Sequence, residues 1–233
     1  MYTHTLALYA CAAAVVLPGT RMIVEQLGND RLGPRQLLVA LWRPTPKAAA
    51  VLVGVMAAMA VVQAVAPGVV PRLERSPDGA SWRVVTALLV QTSGWGQLVF
   101  NLAALVVVAA AAERRLGSVW MPVVFLLSGV AAHWVSTLGW SVYGGGDSVG
   151  VCGLVGALAA YHALTTRHLL VLLVPVSGVV LCLMQNNHGI GVLSGVVLGA
   201  AFTALRGGRL RGVAADLAVA GPHQGAQRSA ATG

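Results

Sequence analysis

Asp147-Ser148-Val149-Gly150-Val151-Cys152-Gly153-Leu154-Val155-Gly156-Ala157 is the stretch on which the reading of this chain turns. A glycine-rich loop, Tyr143 to Asp147, runs straight into an apolar segment that predicts a short helix over 151–166. Cys152 then stands at the start of that helix. A cysteine there faces backbone N–H groups without intrahelical partners and the positive end of the helix dipole, and both favour a thiolate. The same N–H groups can hold a developing oxyanion. Taken alone, a single cysteine in an apolar run is more often a small core hydrophobe than a nucleophile, so its surroundings decide.

Those surroundings are a membrane protein's. Hydrophobic residues make up 57% of the 233-residue chain and charged residues only 9%, against roughly 25% charge in a soluble domain. Basic residues outnumber acidic ones, 15 to 7. In so apolar a chain that excess sets topology. It forms no basic stripe interleaved with aromatics, so nucleic acid is not an expected partner. Cys11, Cys152 and Cys182 show no paired spacing, and neither a disulfide framework nor a metal site is suggested. No cofactor is expected.

Outward from the opening stretch, apolar segments fall at 48–66, 97–112, 119–140, 151–166, 169–184 and 189–205. They predict an all-α membrane protein with six core helices. A further hydrophobic segment at about 4–20 adds one N-terminal helix. It is marginal against the about 20 residues a crossing needs, and it lacks the basic start of a removable signal peptide. Three regions follow: 1–47, the N-terminal helix and a basic connector; 48–206, the transmembrane core; and 207–233, a polar tail expected to be disordered.

The basic residues test the count. With the connector inside, the inner loops carry Arg31, Arg35, Arg43, Lys47, Arg114, Arg115, Arg167, Arg206, Arg209 and Arg211. The outer loops carry Arg72, Arg75 and Arg83. This asymmetry obeys the positive-inside rule, and a multi-pass protein of the cell membrane is expected. Parity then puts the N-terminal ends of the second, fourth and sixth core helices on one face. Gln97, Asn101, Cys152 and His188 therefore gather near one leaflet, and polar groups inside a membrane point to function. Gly191, Gly195 and Gly199 on the last helix and Gly153, Gly156 and Ala160 on the fourth form small-residue faces that let two backbones approach. Such stripes usually mean packing only, yet here they bring Cys152 and His188 within reach.

In this order the residues resemble the rhomboid family of intramembrane serine proteases, over about 48–206. Trp82-Arg83 resembles the Trp-Arg pair of its long first loop. Gln97-Leu98-Val99-Phe100-Asn101 resembles its His-x-x-x-Asn, and Glu113 to Gly117 its Glu-x-x-x-Gly helix end. Gly150-Val151-Cys152-Gly153 fits the Gly-x-Ser-Gly slot. His188, Gly191 and Gly195 match its His-x-x-Gly-x-x-x-Gly helix. The resemblance implies a six-helix rhomboid-like bundle that hydrolyses peptide bonds in transmembrane substrates. Cys152 would take the nucleophile position and His188 that of the base. Asn101 and Gln97 would take the oxyanion positions, with Gly150 lining the cleft. No third residue is needed to orient the histidine, and Asp147 reads as the residue that starts the helix.

Departures from the family pattern accompany these matches. Cys152 replaces serine, Gln97 replaces histidine, and Gln91 stands near an earlier histidine position. Gly156 occupies the place of an aromatic residue that stacks on the histidine. They carry an alternative: a proteolytically inactive relative that binds transmembrane helices of client proteins. An unrelated carrier ranks last. Either of the first two readings makes transmembrane helices and the lipid bilayer the partners. His133 and His162 read as internally hydrogen-bonded, His168 as solvated, and Trp95, Trp134 and Trp140 as interface anchors.

Overall fold

The structure, a computed structural model, describes residues 14–28 except 16 and 26, then 33–166 and 169–220, with 208–220 as backbone. Cys11 and most of the 4–20 segment, Arg31, Arg167, His168 and the tail 221–233 lie outside the described residues, as do the side chains of Arg209 and Arg211. Helix α1 spans Pro34–Trp42 and α2 Lys47–Val65. Helix α3 runs from Trp95 to Val135, α4 is Ser148–Thr166, and α5 is Leu173–Leu183, led in by a turn at Leu169–Leu172. Helix α6 is Asn187–Ala220. Among the described residues four helices are long and apolar enough to cross a membrane, and a shorter apolar one covers Leu169–Leu183.

The longest of these, Trp95–Trp140, is two crossings. Gly117 sits inside it at φ +88° and ψ 167°, a backbone setting that glycine reaches without steric cost. The chain reverses there. Asn101 near the start of the first arm (95–116) and His133 near the end of the second (118–135) both approach Gly146–Asp147. Glu113 marks the opposite end. Its carboxylate accepts the N–H groups of Ala48 (3.2 Å) and Ala49 (2.7 Å) and the hydroxyl of Ser118 (2.7 Å). An anion thus caps the start of α2 and pins the reversal at once. Arg114 closes the same end on the carbonyls of Leu41 and Pro44. Among the described residues this makes six apolar helical segments in chain order, the number the hydropathy predicts for the core.

The buried axis of the bundle is α4, whose inner positions from Val149 to Ala160 are nearly all covered. Small residues bring α6 onto it backbone to backbone. A methyl group added at Gly195 would sit 1.9 Å from the Gly153 carbonyl oxygen, one at Gly199 2.5 Å from that of Ala157, and one at Gly156 2.2 Å from that of Val192. The N-terminal segment is helical over 17–25 and buries Met22 and Ile23 against the core.

The boundaries nearest the site differ from expectation. Helix α4 begins at Ser148, not 151, because the Asp147 carbonyl accepts the N–H groups of Gly150 (2.9 Å) and Val151 (3.0 Å) and closes the first turn. Helix α6 begins at Asn187 rather than 189. It also runs past 206 to Ala220, where the polar composition from 207 suggests a disordered tail.

Candidate active site

The loop before α4 is held from three sides. Arg75 pairs with Gly144 through both backbone groups, N to O at 3.1 Å and O to N at 3.2 Å. Arg75 is 4% exposed, and its guanidinium donates to the carbonyls of Ser141 (2.9 Å) and Tyr143 (3.2 Å) and to Nδ1 of His133. Arginine has only donors, so His133 Nδ1 must accept and Nε2 must carry the proton. That Nε2–H donates to the Gly146 carbonyl at 3.1 Å. The Gly146 N–H in turn donates to the Ala87 carbonyl at 2.8 Å. Gly145 passes so close to the same carbonyl that a methyl there would lie 2.7 Å from it. Burial lowers Arg75 to about 10, so it remains a cation at neutral pH. His133 is thus internally hydrogen-bonded, as expected, and it also fixes the loop that delivers α4.

Ser148 is the first residue of α4. Its Oγ lies 2.9 Å from Nε2 of His188. The other ring nitrogen, Nδ1, lies 2.7 Å from Oδ1 of Asn186, which also accepts the His188 backbone N–H at 3.0 Å. Both nitrogens are therefore engaged, and neither is left for a thiol. Cys152 is one helical turn further on and lines the same cavity. The structure brings His188 to Ser148, not to Cys152. The expected contact between α4 and α6 is present, but one turn earlier than the Cys152 reading places it. Cys152 also loses its supposed place at the helix terminus, since α4 starts four residues before it.

Asn101 and Gln97 border this pair from the first arm of α3. Asn101 Nδ2 donates to Gln91 Oε1 at 2.8 Å, and Gln91 Nε2 donates to Asp147 Oδ1 at 2.5 Å. The Gln91 backbone N–H donates to Gln63 Oε1 at 2.8 Å. Gln97 Oε1 accepts the Ser93 N–H at 2.9 Å, and its Nε2 points toward Gly146, on whose open side Ser148 Oγ also lies. Burial pushes the Asp147 carboxyl up to about 6, against the Gln91 amide that favours its charge. Gly150 does not line the cleft. It is buried against the second arm of α3, where an added methyl would meet the Phe125 ring at 2.7 Å.

A cavity of about 680 Å³ opens beside these groups. Gln97, Asn101, Ser148, Cys152, Asn186 and His188 form its polar end. Its long wall is apolar, from Val107, Val108 and Leu158 to Met22 and Ile23 of the N-terminal helix. Among the described residues no cluster of His, Cys, Asp and Glu could hold a metal ion. Ser148, Asn186, Arg75 and His133 form the site's framework without having been singled out as functional from the sequence. One local signal was available for the serine. Gly146-Asp147-Ser148 offers a Gly-x-Ser directly behind a helix-starting aspartate.

A family model described as Rhomboid domain matches residues 78–220. No curated protein matches the chain.

Proposed function

The chain belongs to the rhomboid family, is an integral multi-pass membrane protein, and, we propose, is an intramembrane serine peptidase with Ser148 as nucleophile and His188 as base. The observation that carries this reading is the 2.9 Å contact between Ser148 Oγ and His188 Nε2 at the head of a cavity open along apolar helices. A stretch of a substrate's transmembrane helix enters that cavity and presents a peptide carbonyl. Ser148 Oγ attacks the carbonyl carbon while His188 Nε2 takes its proton. The tetrahedral oxyanion faces the first N–H groups of α4, which have no intrahelical acceptor, and the side-chain amides of Gln97 and Asn101. Asn101 Nδ2 has a second N–H beyond its bond to Gln91, and Gln97 is held through its Oε1, which leaves its Nε2 to donate. His188 returns the proton to the amine as the C–N bond breaks, leaving an ester on Ser148. Water, deprotonated by His188, hydrolyses the ester and frees the serine.

Cys152 takes no part in this sequence. With Ser148 in the serine slot, Cys152 stands four residues later, at the place the family often gives to an aromatic. The argument for a silent site from a lost serine therefore lapses. The client-binding reading keeps three supports: Gln97 where the family has histidine, Gln91 near an earlier histidine position, and Cys152 where the family often has an aromatic. Cleavage of a model transmembrane substrate by purified protein separates the two. Wild type and Cys152→Ala should cleave at rates within a few fold of each other, and Ser148→Ala and His188→Ala should not cleave. Cleavage that survives Ser148→Ala and dies with Cys152→Ala would return the reaction to the thiol; no cleavage by any of them would select the client-binding role.

A further inference from the structure

His188 has a second partner that a two-residue mechanism does not call for. The chain leaves α5 through Gln185, which adopts a left-handed φ of +54°, and turns at once into α6. Asn186 is the residue just before that helix. Its Oδ1 accepts the His188 backbone N–H at 3.0 Å, the bond an N-cap side chain makes to the second helical residue. The same atom lies 2.7 Å from His188 Nδ1. The backbone N–H is an unambiguous donor, so the atom facing it must be the amide oxygen and not its nitrogen. An amide oxygen can only accept. Nδ1 must therefore carry the ring proton, and Nε2 must present its lone pair to Ser148, 2.9 Å away.

We propose that Asn186 is a positioning residue for the Ser148–His188 pair: one side-chain oxygen both starts α6 and locks the imidazole as the Nδ1–H tautomer with Nε2 toward the serine. An acceptor on the far nitrogen of the base serves the same purpose in serine hydrolases that use a third residue. Here the acceptor is neutral and comes from the base's own turn, two residues upstream, so the ring and its partner move as one unit with the start of α6. The inference rests on the reading of Ser148 and His188 as the working pair.

Three substitutions in the full-length protein in detergent separate positioning from capping. Asn186→Ala removes both bonds. Asn186→Ser keeps a side chain that caps helices well, but it is one bond shorter and falls short of the ring. Asn186→Asp keeps an acceptor oxygen for both. Cleavage of a transmembrane substrate should lose about 10- to 100-fold in kcat in the Ala and Ser variants, with KM within about twofold, the size of effect a misplaced catalytic group gives. The Asp variant should recover most of that loss. The ¹⁵N resonances of His188 give a readout independent of activity. Wild type should show Nδ1 protonated and Nε2 bare, and the Ala and Ser variants a mixture. A Ser variant with wild-type kcat would reduce Asn186 to a cap. Protonated Nε2 in wild type, or an Asp variant as poor as Ala, would overturn the proposal outright. Loss of cleavage in wild type would instead count against the peptidase reading, and the tautomer measurement would still judge Asn186.

Discussion

Replacing Gly195 by alanine tests how far the site depends on the closeness of two helices. The added methyl would lie 1.9 Å from the Gly153 carbonyl oxygen, with the Gly153 carbon and Cα next at 2.6 and 2.7 Å. Real contacts of this kind essentially never fall under 3.0 Å, so the deficit is about 1 Å. Both obstacles are main chain, and no flexible side chain can yield. Helices α4 and α6 must part. Overpacking of this kind costs about 1–3 kcal/mol, and the absence of a soft neighbour puts Gly195→Ala near 3. At roughly 2–4 °C per kcal/mol for a chain of this size, thermal unfolding in detergent should fall by about 6–12 °C. The same separation pulls His188 from Ser148, whose 2.9 Å contact joins these two helices. A displacement of about 1 Å can cost roughly 100-fold in rate. Gly54→Ala in α2 is the control. Nothing lies within 4 Å of its added methyl, and alanine is the better helix former by about 0.5–1 kcal/mol. If Gly195→Ala melted and cleaved like wild type, the close packing that builds the site would be refuted.

Two further expectations follow from charges at opposite ends of the bundle. Burial raises Asp147 to about 6 from an ordinary value of 3.8. The folded protein then binds a proton that the unfolded chain releases, so the contribution of this group to stability is fully present below about pH 4 and is lost as pH rises through about 6. Asp147→Asn keeps the oxygen that accepts from Gln91. It should flatten that slope and stabilise the protein at pH 7.5 by about 2 kcal/mol, read from unfolding midpoints across pH; an unchanged slope would contradict this. Glu113→Ala removes the anion that caps α2 and bonds Ser118. It should lower stability by about 1–3 kcal/mol, whereas Gln, which keeps one acceptor oxygen, should lose less.

The crossing helices were legible because each carries its own local signal. Apolar runs marked them, the Glu113-to-Gly117 stretch marked the reversal, and small residues at fourfold spacing marked the α4–α6 contact. The parity argument placed His188, Asn101 and Gln97 at one end of the bundle, where they line one cavity. Expectation and structure differ in register along one helix. Ser148 and Cys152 are four residues apart, hence on the same face, and both line the cavity. Placing the helix start at 151 put the thiol where the hydroxyl stands. The reading of Asp147 as the residue that starts the helix, carried through to the boundary, places that start one turn earlier. Gly156 then ceases to be a missing aromatic, since its lack of a side chain is what the Val192 carbonyl requires. Arg75 and His133 were not legible as a pair. They are 58 residues apart and meet only because α3 reverses at Gly117 and the loop after α2 folds back onto the loop before α4. No local periodicity encodes such a contact.

The central claim is that the hydroxyl, and not the thiol one turn below it, is the activated nucleophile. A fluorophosphonate probe reacts covalently with an activated serine, and mass spectrometry of the digested protein locates the added mass. The adduct should fall on Ser148, persist in Cys152→Ala and vanish in His188→Ala. An adduct on Cys152, or labelling that survives Ser148→Ala, would contradict the account.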